Sequence, residues 1–247
     1  MNKPNHKQKP SKKGLLQVKA NTNDWLELRQ SLIGGSDIAT IFNMNPWMSR
    51  QNLWEIKTGF VQSMPATFRM NSGHYMEEGI AQMAFNNINN LASINEDIGI
   101  RIHHLHTFLS CTLDRWGLYD RKDGTIGTYV LDCKSSGVSS YKKLKHSRFP
   151  SYNYWLQIQQ QLLVTQKSIK PDVGFLACWT GGQMLKVWRI QPCLTTQRMI
   201  CDLGQIFQSY VQQKWTLQDE AFSMLDNYQF EIDDYIANTS TVECTLE

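Results

Sequence analysis

The hydrophobic period of this chain changes after about residue 88, and the change limits the folds that it can adopt. Before it, apolar residues recur at three- and four-residue spacing, which is typical of amphipathic helices. After it come short segments rich in Ile, Leu, Val, Tyr and Thr, which are typical of strands. The predicted helices are 24–30, 37–42, 50–58, 71–88, 154–165 and 195–214, and the predicted strands are 98–105, 107–113, 115–120, 128–134, 173–179 and 184–190. This order predicts an α/β (α+β) fold with a central mixed β-sheet flanked by helices.

Charge is distributed unevenly along the 247 residues, although the net charge is only +3. Residues 1–13 contain five lysines and no acid, whereas residues 215–247 contain eight acids and no lysine or arginine. The middle of the chain therefore carries +6, which favours a polyanionic partner such as nucleic acid. We predict a basic, disordered arm at 1–20, a globular domain at 21–215 and an acidic helical extension, frayed at its end, at 216–247.

Composition argues against three classes of protein. The apolar runs are too short to span a bilayer, so we expect no membrane segment. The basic N-terminal residues lack the apolar stretch of a secretory signal, which predicts a cytoplasmic protein. The six cysteines are scattered without a CxxC pair, and this predicts reduced thiols instead of disulfides or a cysteine-based metal site.

The segment 113–136 combines acidic and basic residues in a pattern suited to phosphodiester chemistry. Asp132 and Lys134 are two positions apart on a predicted strand, so their side chains emerge on the same face of the sheet. Asp114 and Asp132, together with the backbone carbonyl of Cys133, offer the oxygen ligands that Mg²⁺ prefers. A lysine beside them can orient the attacking water and offset developing negative charge. A DxK triplet by itself is also common as a surface salt bridge.

Five motifs, in order along residues 24–165, resemble the lambda-type exonuclease or YqaJ-like viral recombinase family within the PD-(D/E)xK nuclease superfamily. The tract SLIGGSDIATIFNMNPWMSRQNLWEIKTG resembles the opening of that family, and GHYMEEG, CTLDRWG, LDCKSS and YWLQIQQQLLVT follow it. The catalytic residues that this resemblance implies are Glu77, Asp114, Asp132, Lys134 and Gln157. The implied metal ligands are Asp114, Asp132, Glu77 and the backbone carbonyl of Cys133.

The resemblance also implies residues that bind the 5′-phosphate of DNA. Arg29 precedes two small residues and Ser36, as in the opening motif of the family. Guanidinium binds phosphate with two parallel hydrogen bonds, and we expect Ser36 at a helix N-terminus, either binding an anion or acting as a plain N-cap. We expect a basic segment after the second acidic strand to contact the DNA backbone, with a solvated helix face as the alternative: Lys142, Lys143, Lys145 and Arg148.

The family further implies a restriction-endonuclease-like core and a Mg²⁺-dependent exonuclease, with Mn²⁺ able to substitute. Such enzymes degrade one strand of duplex DNA from the 5′ end and leave a 3′ overhang for phage-type recombination. The implied partners are double-stranded DNA ends, a single-strand annealing protein and two further copies of the chain in a ring-shaped homotrimer. Two alternatives stay open: a defence or repair endonuclease of the same superfamily, or a DNA-binding protein without catalysis.

Several details of the sequence depart from the family pattern or have weaker support. Leu113 precedes Asp114 where the family usually has Pro, and the DxK acid is Asp132 where Glu is commoner. Glu77 is preferred to Glu78 because it lies nearer the apolar face of its predicted helix. Gln159 is a weaker candidate than Gln157. The cluster of His103, His104 and His106 is read as structural or surface histidines.

Overall fold

The computed structural model describes residues 15, 16, 18, 22–63, 65, 67–97, 99–227 and 237–242. Its helices are α1 (Asn23–Ser31), α2 (Ile38–Ile41), α3 (Arg50–Thr58), α4 (Phe68–Asn87), α5 (Tyr141–His146), α6 (Tyr152–Thr165), α7 (Leu194–Gln213) and α8 (Met224–Asn227). Its strands are β1 (Leu15–Leu16), β2 (Asn95–Glu96), β3 (Ile100–Ile102), β4 (Ser110–Cys111), β5 (Arg115–Asp120), β6 (Ile126–Ser136), β7 (Val173–Thr180), β8 (Leu185–Ile190) and β9 (Thr239–Val242).

The main sheet has six strands in the order β2-β5-β6-β7-β8-β9. Strands β6 and β7 run parallel, whereas the other neighbouring pairs are antiparallel. One buried hydrophobic cluster joins this sheet to α2, α6 and α7, and a second joins it to α4. A smaller sheet has the order β1-β3-β4. The predicted α/β fold, a central mixed sheet flanked by helices, is therefore confirmed.

The parallel pair β6 and β7 is connected through α5 and α6, which brings α6 back across the sheet. Gly174 on β7 allows a close approach, because a Cβ atom there would lie 2.3 Å from Cγ2 of Ile158 on α6. The register pairs Asp132 with Leu176 and Lys134 with Cys178. The crossover thus sets one face of α6 against the carboxyl half of β6, where the predicted catalytic residues lie.

The ends of α3 agree with the sequence, whereas the start of α2 does not. Ser49 caps α3 by accepting a hydrogen bond from the N–H of Asn52 at 3.1 Å, and Gly59 ends it with a φ of 81°, which favours glycine. The N-cap of α2 is Asp37, so the predicted Ser36 cap is wrong. Instead, Ser36 Oγ accepts a hydrogen bond from Arg29 Nη2 at 2.9 Å.

Other differences lie in the small sheet and at the two ends of the chain. The predicted strands 98–105 and 107–113 shorten to β3 and β4, because the residues between them turn. The helical prediction for 216–247 is wrong at Thr239–Val242, which pairs with β8 and covers an otherwise open sheet edge. The predicted disordered arm at 1–20 lies outside the described residues except 15, 16 and 18, of which Leu15–Leu16 pairs with β3.

The helices can also be compared with the thickness of a bilayer. Within the described ranges, no helix is both long enough and apolar enough to cross a membrane.

Candidate active site

Asp132 and Lys134 share one face of β6, as their spacing predicts. Asp132 is 1% exposed, and its Oδ2 lies 2.5 Å from Nζ of Lys134. The Lys134 side chain is 21% exposed, and its ammonium lies 5.4 Å from the centre of the Tyr154 ring. The strand therefore carries a buried acid whose cationic partner reaches solvent.

Asp114 binds β6 just beyond the point where its pairing with β5 stops. The last pair of that ladder is Arg115 with Leu131. Two residues further along β6, the N–H of Cys133 donates to Oδ2 of Asp114 at 2.7 Å. The N–H and C=O of one strand residue face the same neighbour, so the Cys133 carbonyl is also on the Asp114 side. Both acids and the predicted carbonyl ligand are thus brought together.

The electrostatics of this cluster are dominated by burial and by like charge. Burial raises the pKa of Asp114 to about 8, and the Asp132 carboxylate adds to the rise while Lys134 opposes it. Burial alone would lower the pKa of Lys134, but the carboxylates of Asp132 and Asp114 outweigh it and raise this pKa well above its usual value. Lys134 is therefore an ammonium, and one cation faces two acids.

Two glutamines of α6 bind the carboxylate oxygen of Asp132 that does not face Lys134. Nε2 of Gln157 and Nε2 of Gln161 donate to Oδ1 of Asp132 at 2.8 Å and 2.9 Å. Gln157 is a predicted site residue. Gln161 was not predicted from the sequence, although it lies one helical turn after Gln157 on the same face of α6. The weaker candidate Gln159 is fully buried elsewhere and donates to the carbonyl of Gln191 at 2.8 Å.

Glu77 lies beside the acid cluster without joining it directly. Its Oε1 is 2.8 Å from Nδ1 of His74, and its charge contributes to the raised pKa of Asp114. Glu78 is more exposed and forms an ion pair with Arg115. In the part of the chain that the structure describes, no three His, Cys, Asp or Glu side chains are close enough to hold one metal ion. The ligand role of Glu77 thus remains a prediction.

A pocket extends from Gln157 to the segment between α1 and α2. Arg29 and Ser36 lie together in its wall, and the Arg29 side chain remains 39% exposed. Because Gln157 both lines the pocket and binds Asp132, the pocket joins the predicted phosphate-binding residues to the acid cluster. The lining residues are Arg29, Gly34, Gly35, Ser36, Ile100, Ser110, Cys111, Thr112 and Gln157.

The predicted basic segment follows β6 and is exposed. Its four basic residues are Lys142, Lys143, Lys145 and Arg148. Nζ of Lys186 on β8 donates to the carbonyl of Leu144 at 2.8 Å, and Nε1 of Trp188 donates to the carbonyl of Arg148 at 3.1 Å. The sheet thus fixes the backbone of this segment while its basic side chains face solvent.

The three neighbouring histidines are arranged around a turn. His103 is buried, and its Nδ1 accepts a hydrogen bond from the N–H of His106 at 2.9 Å. Burial lowers the pKa of His103 to about 4, with His104 and His106 adding to the effect. This contact gives His103 a structural role in the turn.

The donor set of the acid cluster fits a hard divalent cation. Asp114 and Asp132 offer carboxylate oxygens and Cys133 a carbonyl oxygen, which are ligand types that Mg²⁺ and Mn²⁺ accept. Mg²⁺ usually keeps several waters and needs only one or two protein carboxylates. Burial is the main cause of the raised pKa of Asp114, and the neighbouring carboxylates add to it beyond what Lys134 offsets, so a bound cation would favour the ionised carboxylate.

The raised pKa of Asp114 predicts an effect on the stability of the metal-free protein. A folded-state pKa near 8 means that folded Asp114 holds its proton at pH values where the unfolded chain has released it, so stability falls as pH rises from about 4 to 8. We expect Asp114→Asn to stabilise the protein in EDTA at pH 8 by on the order of 1–3 kcal/mol, roughly 2–10 °C in melting temperature.

Calorimetric scans at pH 5 and pH 8 would measure this gain. The gain should be larger at pH 8, and the exposed acid Asp202 provides a control because Asp202→Asn should give no such difference. A melting temperature of Asp114→Asn equal to or below that of the wild type at pH 8 would contradict the raised pKa of Asp114.

The chain is similar to known proteins in both sequence and fold. The model of the YqaJ-like viral recombinase domain matches residues 24–168. The uncharacterized protein YqaJ of Bacillus subtilis (strain 168) is 26% identical over 172 residues, which cover 68% of this chain and 49% of that protein. The chain thus spans about half the length of this curated relative.

Several solved structures with a similar fold are exonucleases. An alkaline exonuclease (LHK-Exo) from Laribacter hongkongensis has a TM-score of 0.62 at 16% identity, over 78% of this chain and 94% of that one. LHK-Exo in complex with dAMP gives a TM-score of 0.62 at 15% identity, over 83% and 98%. A phage related exonuclease from Haemophilus somnus 129PT gives 0.52 at 11% identity, over 76% and 97%. At these identities the likeness establishes the fold, which is the predicted core of a central mixed sheet flanked by helices.

Proposed function

Because the chain belongs to the YqaJ-like viral recombinase family, we propose that it is a Mg²⁺-dependent DNA exonuclease. It hydrolyses the phosphodiester bonds of one strand of duplex DNA from the 5′ end and leaves a 3′ overhang. Mn²⁺ is expected to substitute for Mg²⁺, since both accept carboxylate and carbonyl oxygens. The observation that carries this proposal is the pair of acids formed by the buried Asp132 and the partly buried Asp114, with the Lys134 ammonium beside them.

Each residue of the cluster has a chemical task in this proposal. Asp114, Asp132 and the Cys133 carbonyl hold the divalent ion, with Glu77 as a further ligand or as the acceptor of a bound water. When bound, the ion polarises the scissile phosphate and promotes ionisation of a water. Lys134, an ammonium at the rim, orients the attacking water and offsets the negative charge that develops on the phosphate.

Gln157 and Gln161 keep the Asp132 carboxylate in one orientation. Their amide groups bind Oδ1, whereas Oδ2 faces Lys134 and would be the oxygen that remains for a divalent ion. Such a fixed carboxylate loses little freedom on binding a cation, and outer hydrogen bonds of this kind tune metal affinity. We assign both glutamines to positioning, with Gln157 also able to reach a phosphate in the pocket that it lines.

The direction of degradation is proposed from the position of the pocket. Arg29 and Ser36 bind the terminal 5′-phosphate there, and the first internucleotide phosphate then meets the acid cluster. Cleavage at that phosphate releases a mononucleotide, which agrees with the capture of dAMP by the similar LHK-Exo. The exposed side chains of Lys142, Lys143, Lys145 and Arg148 contact the DNA backbone.

The cellular setting of the proposal comes from the family. We place the protein in the cytoplasm, that of the host cell if a phage encodes it. There it acts on double-stranded DNA ends, with a single-strand annealing protein, in phage-type recombination.

A ring-shaped homotrimer is the proposed assembly, and static light scattering would report three times the mass of 28.6 kDa. A defence or repair endonuclease, or a DNA-binding protein without catalysis, would instead act independently of DNA ends or leave DNA intact.

One assay separates these possibilities. Linear duplexes labelled at either end of one strand, with and without a 5′-phosphate, are incubated with the protein in Mg²⁺, and a covalently closed circle serves as the control. We expect mononucleotides from the 5′ ends, a preference for phosphorylated ends and an intact circle. Cleavage of the circle would indicate an endonuclease, and intact linear DNA in both Mg²⁺ and Mn²⁺ would contradict nuclease activity altogether.

A further inference from the structure

A buried ion pair lies directly behind the proposed phosphate-binding residues. From its contacts we infer that Lys57 and Asp37 are positioning residues for the 5′-phosphate site: Lys57 engages Asp37, which leaves the guanidinium of Arg29 available to the phosphate. This inference rests on the proposed function, in which Arg29 and Ser36 bind the terminal phosphate. In this inference, Asp37 at the start of α2 and Lys57 at the end of α3 keep Arg29 in the pocket.

Lys57 holds the end of α1 from within the protein. Its side chain is 6% exposed, and its Nζ donates to the carbonyls of Arg29 at 2.8 Å and Leu32 at 2.6 Å. The third contact of the ammonium is Oδ2 of Asp37 at 2.7 Å. These three acceptors match the three protons of Nζ. One buried cation thus fixes the backbone of Arg29 and the start of α2 together.

Asp37 holds the turn that carries the pocket. Its Oδ2 also accepts a hydrogen bond from the N–H of Gly34 at 2.9 Å, and its Oδ1 lies 3.7 Å from Nη2 of Arg29. Burial alone would raise the pKa of Asp37, but the charges of Lys57 and Arg29 outweigh it and lower this pKa. Asp37 is therefore a carboxylate with two neighbouring cations, and the closer of them is Lys57.

The distances decide what each cation can do. Asp37 is in close contact with Lys57 at 2.7 Å, while Arg29 at 3.7 Å is beyond hydrogen-bond length. The three charged groups sum to one positive charge, which remains on the partly exposed Arg29 and faces the pocket. Without Lys57, the buried carboxylate would need another partner, and Arg29 is the cation next to it. A close Arg29–Asp37 pair would withdraw the guanidinium from the pocket.

The test uses two variants whose outcomes differ. Lys57→Met keeps the aliphatic stem and removes the charge, and it should lower the preference for 5′-phosphorylated over unphosphorylated duplex by roughly tenfold. The double variant Asp37→Asn with Lys57→Met also removes the rival acceptor for Arg29, so it should restore most of the preference. Arg50→Met is the matched control, since Arg50 is a similarly buried cation two turns earlier on the same helix, 9% exposed and paired with Asp219.

A second readout is independent of cleavage. The ¹⁵N–¹H signal of Nε of Arg29, identified by its loss in Arg29→Ala, should move in Lys57→Met and return toward its wild-type position in the double variant. If Lys57→Met leaves both the substrate preference and this signal unchanged, the inference is wrong. It is equally wrong if both substrates slow alike in the single and the double variant, because that pattern indicates general destabilisation. If the wild type shows no phosphate preference, the proposed 5′ end role fails, and the Arg29 signal alone decides the positioning.

Discussion

Replacing Asp132 with Asn is expected to reduce Mg²⁺-dependent cleavage of duplex DNA by on the order of a thousandfold or more. The substitution removes the negative charge from the most buried acid of the site, where it would face both the metal and Lys134. The amide oxygen can still accept from Gln157 and Gln161, so the packing of α6 on β6 should survive. Asp114→Ala and Lys134→Ala should cause losses of similar size.

The measurement is the initial rate of nucleotide release, paired with DNA binding in Ca²⁺ and with circular dichroism to establish folding. Glu78→Gln is the matched control, because Glu78 is an exposed acid beside Glu77 that pairs with Arg115. Its rate should stay within about twofold of the wild type. A folded Asp132→Asn protein that cleaves DNA at the wild-type rate would remove this cluster from the chemistry.

Arg29→Ala is expected to slow the degradation of 5′-phosphorylated duplex by roughly 10- to 150-fold, because a charge-assisted hydrogen bond to phosphate contributes about 1.5–3 kcal/mol. Unphosphorylated duplex should be affected much less, so the difference between the two substrates should narrow. The reason is geometric: Arg29 lies in the pocket wall with Ser36 and is the charged group there.

Arg121→Ala provides the comparison for this variant. Arg121 has a side-chain exposure of 37%, against 39% for Arg29, and pairs with Asp172 away from the pocket. Equal losses on both substrates in Arg29→Ala, together with a lower melting temperature, would mark Arg29 as a structural residue. Unchanged rates on both substrates would mark it as a surface residue without a role.

Local sequence patterns were sufficient to place Asp132 and Lys134 on strand β6. Asp132 and Lys134 differ by two positions, so the strand period alone places them on one face, and their ion pair agrees with this. The turn signals around α3 are equally local, since Ser49 and Gly59 act on their own helix. The residues of segment 113–136 and the family resemblance both indicated Asp114, but no period could have related it to Cys133 across 19 positions.

Contacts between distant segments could not be predicted from such local patterns. Strand β9 contains the β-branched residues Thr239, Thr241 and Val242, which suit a strand, but four residues do not reveal that β8 is the strand with which they pair. Asp37 does not act as a helix cap of the ordinary kind, since its carboxylate is engaged by Lys57 from another helix. Gln161 differs from its neighbouring glutamines only in the direction of its side chain, which depends on the packing of α6 against β6.

The most direct test of the proposed active site is to locate the metal. Crystals of the protein soaked in Mn²⁺ give an anomalous signal at the ion, and we expect the strongest peak within ligand distance of Asp114, Asp132 and the Cys133 carbonyl, at roughly 2.0–2.3 Å from the oxygens. The same soak of Asp132→Asn crystals should lose that peak. An empty cluster at saturating Mn²⁺, in crystals of protein that degrades DNA in solution, would contradict the proposed site.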